Sequence, residues 1–194
     1  MRLRRIEAEY RGRVQFEWRS YLLRPTPRPP PSSEQRAAEQ LEKFRAYTQS
    51  WLRPGSDPDG GEFQTWHSDE GPPSHSVPPH LVAKAAAGVG QQAFEAIHER
   101  LLRAYFQESR DITDWATLKA LWLEVGLPEE AFAESENPAL AEQVFAEHRE
   151  AVESGATGVP AVRRADDSVA IVGAHPIEMY RRWIERALSE ARSN

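Results

Sequence analysis

The six histidines are the first candidates for chemistry in this chain. His67, His75 and His80 follow one another at spacings of eight and five residues, with Asp69 and Glu70 beside them, a set of side chains able in principle to ligate a divalent metal. A metal site needs three or four ligands converging on one point, with supporting partners behind them. These histidines lie in or beside a segment dense in Gly, Pro, Ser and Asp, where spacing enforces no convergence, so no metal is expected. His98 and His148 fall within helical patterns among Glu and Arg, where solvated or capping side chains are expected. Glu108, Asp111 and Asp114 could form paired carboxylates for acid–base work, but with Thr113 among them between two helical stretches they read as helix capping and termination. Gly88-Val89-Gly90 lacks the strand-to-helix context of a nucleotide-binding loop, and no Ser–His–Asp order is present. The chain contains no cysteine. That excludes, within these residues, disulfides, zinc–thiolate sites, iron–sulfur clusters and a cysteine nucleophile, and no residue is assigned a catalytic role.

These residues must be held by a soluble scaffold. A chain of 194 residues suits one domain, or one domain carrying an insertion, and buries about 70% of the surface its unfolded form exposes. The net charge of −6 argues against nucleic acid as a partner, because phosphate binding relies on surplus Lys and Arg. Apolar runs such as Leu81 to Ala87 are too short to span a bilayer, so no membrane partner is expected. The first 28 residues carry eight arginines, from Arg2 to Arg28, against Glu7, Glu9 and Glu17. They are too acidic and too poor in Ser for a transit peptide, and no apolar run follows as in a secretory signal. A cytoplasmic protein is expected.

Leu3, Ile6 and Tyr10 share one helical face, with Gly12 as the stop. From Val14 to Leu22, Val14, Phe16 and Trp18 alternate with Gln15, Glu17 and Arg19, which predicts a strand ended by Pro25. After a proline-rich stretch, Ser32 or Ser33 caps a helix running through Leu41, Phe44 and Tyr47 to about Leu52. Pro54 to Pro79 reads as a crossing loop anchored by Phe63 and Trp66. Helices are expected over Leu81–Ala87, Gln91–Gln107, Trp115–Val125, a short one from Pro128, and one from Pro138 to Gly155. Val159–Arg163 and Ser168–Val172, separated by Ala165, Asp166 and Asp167, predict a hairpin, and a last helix follows from Pro176 to about Ala191.

The segments LLRAYFQESRDITDWATLKALWLEVGL, EAVESGATGVPAV and IVGAHPIEMYRRWIERAL, in that order, resemble DsbA-like proteins of the FrnE and 2-hydroxychromene-2-carboxylate isomerase branch. The resemblance runs from about residue 1 to residue 190. It implies an α/β, thioredoxin-like fold with an α-helical insertion domain and without its first strand. The implied organisation is a discontinuous thioredoxin-like domain over 1–52 and 156–194, a crossing loop over 53–79 and a helical insertion over 80–155. Taken alone, the spacing around Pro160 favours a trans proline that starts a strand, whereas the resemblance makes Val159–Pro160 a cis bond, with Thr157, Gly158, Val159 and Pro160 lining the substrate groove. Ser76 and His80, where the chain passes into the helical insertion, are cleft candidates by the same resemblance, although capping of the first insertion helix is the stronger reading of them. His175, before Pro176, is expected to serve turn geometry.

The family's C-x-x-C motif, or the serine that its isomerase and kappa-class glutathione transferase relatives use in the same place, has no counterpart in these residues. An upstream start is the expected explanation. The alternative is a sheet whose gap is filled by the N-terminal segment or by a second chain, giving a homodimer. Three functions follow from the resemblance. One is a thiol–disulfide oxidoreductase acting on a protein or small-thiol substrate, inactive in this cysteine-free form. The second is an isomerase or transferase that uses glutathione, and the third is a non-catalytic binding module. Apart from glutathione under the second, no cofactor is expected.

Overall fold

The computed structural model describes residues 2–56, 60–167 and 170–193. Helix α1 (Arg2–Glu9) precedes a long connection to α2 (Glu34–Thr48) and the short α3 (Leu52–Gly55). Helices α4 (Val77–Val89), α5 (Gln91–Phe106), α6 (Trp115–Glu124) and α7 (Pro138–Glu153) follow, then strands β1 (Ala161–Val162) and β2 (Ile171–Val172), and finally α8 (Ile177–Ser193). Short 3-10 segments over Gln49–Trp51 and Glu129–Glu136 link α2 to α3 and α6 to α7.

Two apolar clusters organise these elements. In the first, α4 offers the small side chains Ala83, Ala85 and Ala86 around Val82, letting α5 approach with Phe94, Ile97 and Leu101, while α6 closes the cluster with Leu118, Leu121 and Trp122. The inward face expected for α6 is realised, since those three side chains are fully buried. In the second cluster Ile6 and Tyr10 of α1 meet Ile177, Tyr180 and Ile184 of α8, with Val14, Phe16 and Val162 packed against them. The three α8 residues recur at intervals of three and four, which places them on one face.

Helix ends follow side-chain chemistry. Ser33 caps α2 by accepting from the Arg36 amide, as anticipated. Asp114 caps α6: its carboxylate accepts from the Thr117 amide at 2.7 Å, and that bond holds its pKa below the usual carboxylate value. Asp114→Ala is expected to destabilise the fold by about 1 kcal/mol, measured by urea unfolding at neutral pH, whereas Asp114→Asn should cost far less. Equal losses for the two variants would refute the capping role.

Three expectations need correction. The segment from Val14 to Leu22 is extended but is not a strand. Its alternation is real, with Val14, Phe16 and Trp18 half-buried and Gln15, Glu17 and Arg19 exposed. A strand also needs a backbone partner, however, and residues 15–23 make no backbone–backbone hydrogen bond among the described residues. Side chains of α7 take that place in part: Glu147 accepts from the Ser20 amide at 2.7 Å and His148 Nδ1 from the Leu22 amide at 3.2 Å. His148 is thus neither solvated nor a cap of its own helix. His98 is not solvated either: it stacks on Phe94, lies against Trp18, and its Nδ1 is 3.2 Å from the Arg4 guanidinium.

The crossing segment is shorter than expected, because α3 occupies 52–55 and α4 begins at Val77. Its anchors hold. Trp66 is 2% exposed and Phe63 packs edge-on against Phe106. The hairpin is antiparallel, pairing Ala161 with Val172 and Val162 with Ile171. Ser168 and Val169, where the second strand was expected to start, lie outside the described residues.

Candidate functional site

The turn from Thr157 to Pro160 is positioned by the end of α7. Gly155, at φ +82°, adopts a left-handed conformation that costs glycine nothing. It lets the Gly155 amide reach the Val152 carbonyl at 2.9 Å and the Ala156 amide reach the Ala151 carbonyl at 3.0 Å. This double bond pattern stops the helix. Ala156 is buried as the chain reverses, after which Thr157 and Val159 emerge, Val159 with 51% of its surface exposed. The Val159–Pro160 peptide bond is cis. The Pro160 carbonyl accepts from the Gly173 amide at 2.8 Å, tying the turn to β2 and starting the hairpin. Among the described residues, no hydrogen bond engages the backbone of Thr157, Gly158 or Val159. Thr157 and Val159 are exposed and Gly158 is half-buried.

Gly173 and His175 brace this turn from the far side. The Tyr180 hydroxyl donates to the Gly173 carbonyl at 3.0 Å, and His175 Nε2 lies 3.1 Å from the Val172 carbonyl. His175 therefore shapes the turn between β2 and α8.

Ser76 and His80 sit elsewhere, in and just before the first turn of α4. Ser76 does not cap its helix. Its hydroxyl instead accepts from the Arg24 amide at 3.0 Å, and its own amide donates to the Arg24 carbonyl at 2.8 Å, which fastens the chain after the extended segment to the start of the helical block. His80 faces the backbone of Tyr21 and the α7 side chains Glu147 and His148. Burial foremost, with the positive charge of Lys84 adding to it, pushes the His80 pKa down to about 4. The imidazole is neutral at pH 7. Beside it, Lys84 pairs with Glu147 at 2.6 Å, both side chains nearly buried. No hydrogen bond, ion pair or ring contact among the described residues joins Ser76 or His80 to Thr157–Pro160. Helix α7 is their common support, facing His80 with Glu147 and His148 and ending in the turn. Among the described residues no three His, Asp or Glu side chains are grouped to hold a metal ion.

Two polar groupings escaped the sequence reading. Arg4 lies over the Trp18 ring at 4.3 Å, bonds Glu7 at 2.7 Å and meets His98, and only the fold brings these elements together. Arg24 and Arg28 form the second. They did leave a trace in the sequence, since Tyr21 to Ser33 contains both arginines and no acid.

A helix-flanked hairpin introduced by an exposed X–Pro turn, with a helical block inserted ahead of it, defines a thioredoxin-like protein. The chain belongs to the DSBA-like thioredoxin domain family, whose model matches residues 1–185. No curated protein matches it significantly. Among solved structures it resembles the cytosolic disulfide reductase DsbM from Pseudomonas aeruginosa, with 21% identity and a TM-score of 0.69 over 97% of this chain and 90% of that one. The same protein solved with GSH gives 22% identity and a TM-score of 0.59 over 97% and 91%. A candidate protein disulfide isomerase from Nitrosomonas europaea gives 19% identity and a TM-score of 0.61 over 97% and 89%. At these identities the likeness concerns the fold.

Proposed function

We propose that this chain binds an extended peptide or a small thiol compound along Thr157–Pro160, as a member of a disulfide-handling family, and exchanges no disulfide through its own residues. The observation that carries this reading is the unbonded backbone of Thr157, Gly158 and Val159 on a turn fixed at both ends, with Thr157 and Val159 exposed. Such a backbone pairs with an extended ligand by main-chain hydrogen bonds. Exchange itself requires a thiolate, and the chain has no cysteine. Glutathione is the small thiol to try first, because a structural neighbour has been solved with it and because the isomerase branch uses it.

The test has two arms. In the first, insulin disulfide reduction with dithiothreitol is followed with and without the 194-residue protein. The expected rate equals the blank, and any acceleration overturns the redox-silent part. In the second, titration calorimetry measures binding of glutathione and of an extended peptide library pool to the native chain and to Val159→Pro, which removes one amide donor. Binding weakened about tenfold by the loss of one such bond, about 1.4 kcal/mol, supports the reading. Binding that Val159→Pro leaves unchanged, or none to either probe, removes it.

A further inference from the structure

Helix α1 ends in a turn made by Gly12, whose φ of +78° lets the Arg13 and Val14 amides return to the Tyr10 carbonyl at 2.9 and 3.0 Å. The turn sends the chain into the extended segment. A cleft of about 410 Å³ lies between the turn, the start of that segment and the beginning of α5, a volume within the range of small-molecule sites, about 300–1,000 Å³. Its lining joins the apolar side chains of Val14 and Phe16 to Glu7 and Arg11 from α1 and its turn, and to Gln91, Gln92 and Glu95 from α5.

The charged members of this lining are not equally committed. The Arg4 guanidinium bonds Glu7 at 2.7 Å, and the Trp18 indole N–H donates to the two Glu7 oxygens at 3.1 and 3.2 Å. Arg4 also lies over that indole at 4.3 Å, so Glu7 is a fixed and neutralised part of the wall. Glu95 is held more loosely. Its Oε1 accepts from the Gln91 side-chain amide at 2.9 Å and stands 3.8 Å from Arg4, too far for a hydrogen bond. Arg11 brings the remaining charge from the exposed turn. With Glu7 offset by Arg4, the cleft presents one carboxylate, one guanidinium, two side-chain amides and an apolar wall.

We propose that this cleft binds a small zwitterionic molecule of dipeptide size, with its ammonium group on Glu95, its carboxylate on Arg11, its peptide group on the Gln92 amide and an apolar side chain against Val14 and Phe16. A guanidinium fork matches a carboxylate in geometry, and a carboxylate takes the donors of an ammonium group through charge-assisted hydrogen bonds. The Phe16 ring supplies contact area for the apolar part. A ligand with a single charge would leave the opposite charge of the cleft unpaired, which selects against simple amines and simple acids. No residue of the Thr157–Pro160 turn lines this cleft, so the site stands or falls separately from the reading given to that turn.

Titration calorimetry of the native chain near neutral pH tests the proposal, with glycyl-leucine, its N-acetyl form and its C-terminal amide as probes. Saturable one-to-one binding of glycyl-leucine is expected, weaker by about tenfold or more when either end is blocked. The variants assign the ends. Glu95→Gln should weaken glycyl-leucine about tenfold and leave the N-acetyl form unaffected, because the ammonium it serves is already gone. Arg11→Gln should likewise weaken glycyl-leucine and leave the C-terminal amide unaffected. Arg149→Gln, an exposed arginine elsewhere, should change nothing. This crossed pattern separates recognition of the ends from a loss of structure, which would lower the binding of all three probes alike and overturn the assignment. No saturable binding of glycyl-leucine also overturns the proposal. So does binding that Glu95→Gln and Arg11→Gln both leave intact, as it would be if the dipeptide sat on the Thr157–Pro160 turn.

Discussion

Acidification from pH 7.5 to pH 5 is expected to remove several kcal/mol of folding stability, before the carboxylates are extensively protonated. The cause is two imidazoles that the fold keeps neutral. Burial, aided by Lys84, holds His80 at about 4, and burial, aided by Arg4, holds His98 at about 4, against an ordinary value of 6.5. Between these values the unfolded chain binds protons that the folded chain refuses, so stability is complete above about pH 6.5, falls as pH drops, and levels off below about 4. Each histidine contributes a loss of about 3 kcal/mol over that window by linkage. Glu147 and His148 face His80 from α7; Glu147 favours the protonated ring, and His148 and Lys84 oppose it. Urea unfolding at half-unit pH steps checks this. The double variant His80→Gln/His98→Gln should flatten the profile between pH 6.5 and 4.5. A parent protein whose unfolding free energy is constant from pH 7.5 to 5 would contradict the burial of both rings.

Trp122→Ala should be among the most damaging single substitutions. The side chain is fully buried, packs edge-on against Phe132 at 5.6 Å, and its indole N–H donates to the Pro128 carbonyl at 2.8 Å. Truncation leaves a cavity at the centre of the α4, α5 and α6 cluster and strips that carbonyl of its shorter hydrogen bond, leaving it the Ala131 amide at 3.2 Å, for a loss of about 3–5 kcal/mol. A domain's whole stability is roughly 5–15 kcal/mol, so the variant sits near unfolding at 37 °C. Trp122→Phe separates the two contributions: it restores most of the apolar contact but not the hydrogen bond, and should cost about 1–3 kcal/mol. A loss below 1 kcal/mol for the alanine variant, read from urea denaturation at 25 °C, would refute this account.

Helices were legible in the sequence because their determinants are local. Leu118, Leu121 and Trp122 lie on one side of a 3.6-residue period, and Ser33, Gly126 and Gly155 mark ends through their own conformational chemistry. The hairpin was legible from its two β-branched runs. The segment from Val14 to Leu22 shows where locality fails: alternation reports which side chains face inward, but a ladder needs a second backbone that no local pattern supplies. The histidines failed for the same reason. His98 becomes buried only when α1 delivers Arg4 and the extended segment delivers Trp18, each far from it in the chain. Ser76 was read as a cap because it precedes a helix, and its hydroxyl was taken by Arg24, 52 residues away. Of the candidate site, the turn at Thr157–Pro160 was legible through Gly155 and Pro160, while the ties that brace it, from the Gly173 amide to Pro160 and from the Tyr180 hydroxyl to Gly173, were not, because they depend on the hairpin and α8 folding back.

The unladdered segment has a colloidal consequence. Glu147 and His148 take the Ser20 and Leu22 amides, but the stretch before them has no ladder, and such a backbone is a template on which another chain can add unless charge guards it. Here Glu17 and Arg19 project outward beside Gln15, and Arg19 is held by Glu17 and Glu150. Glu150 also holds Arg163, just beyond β1. One carboxylate thus bolts the guard of the extended segment to the end of the hairpin, so the charge that discourages a second chain from adding along that flank is held in place by Glu150.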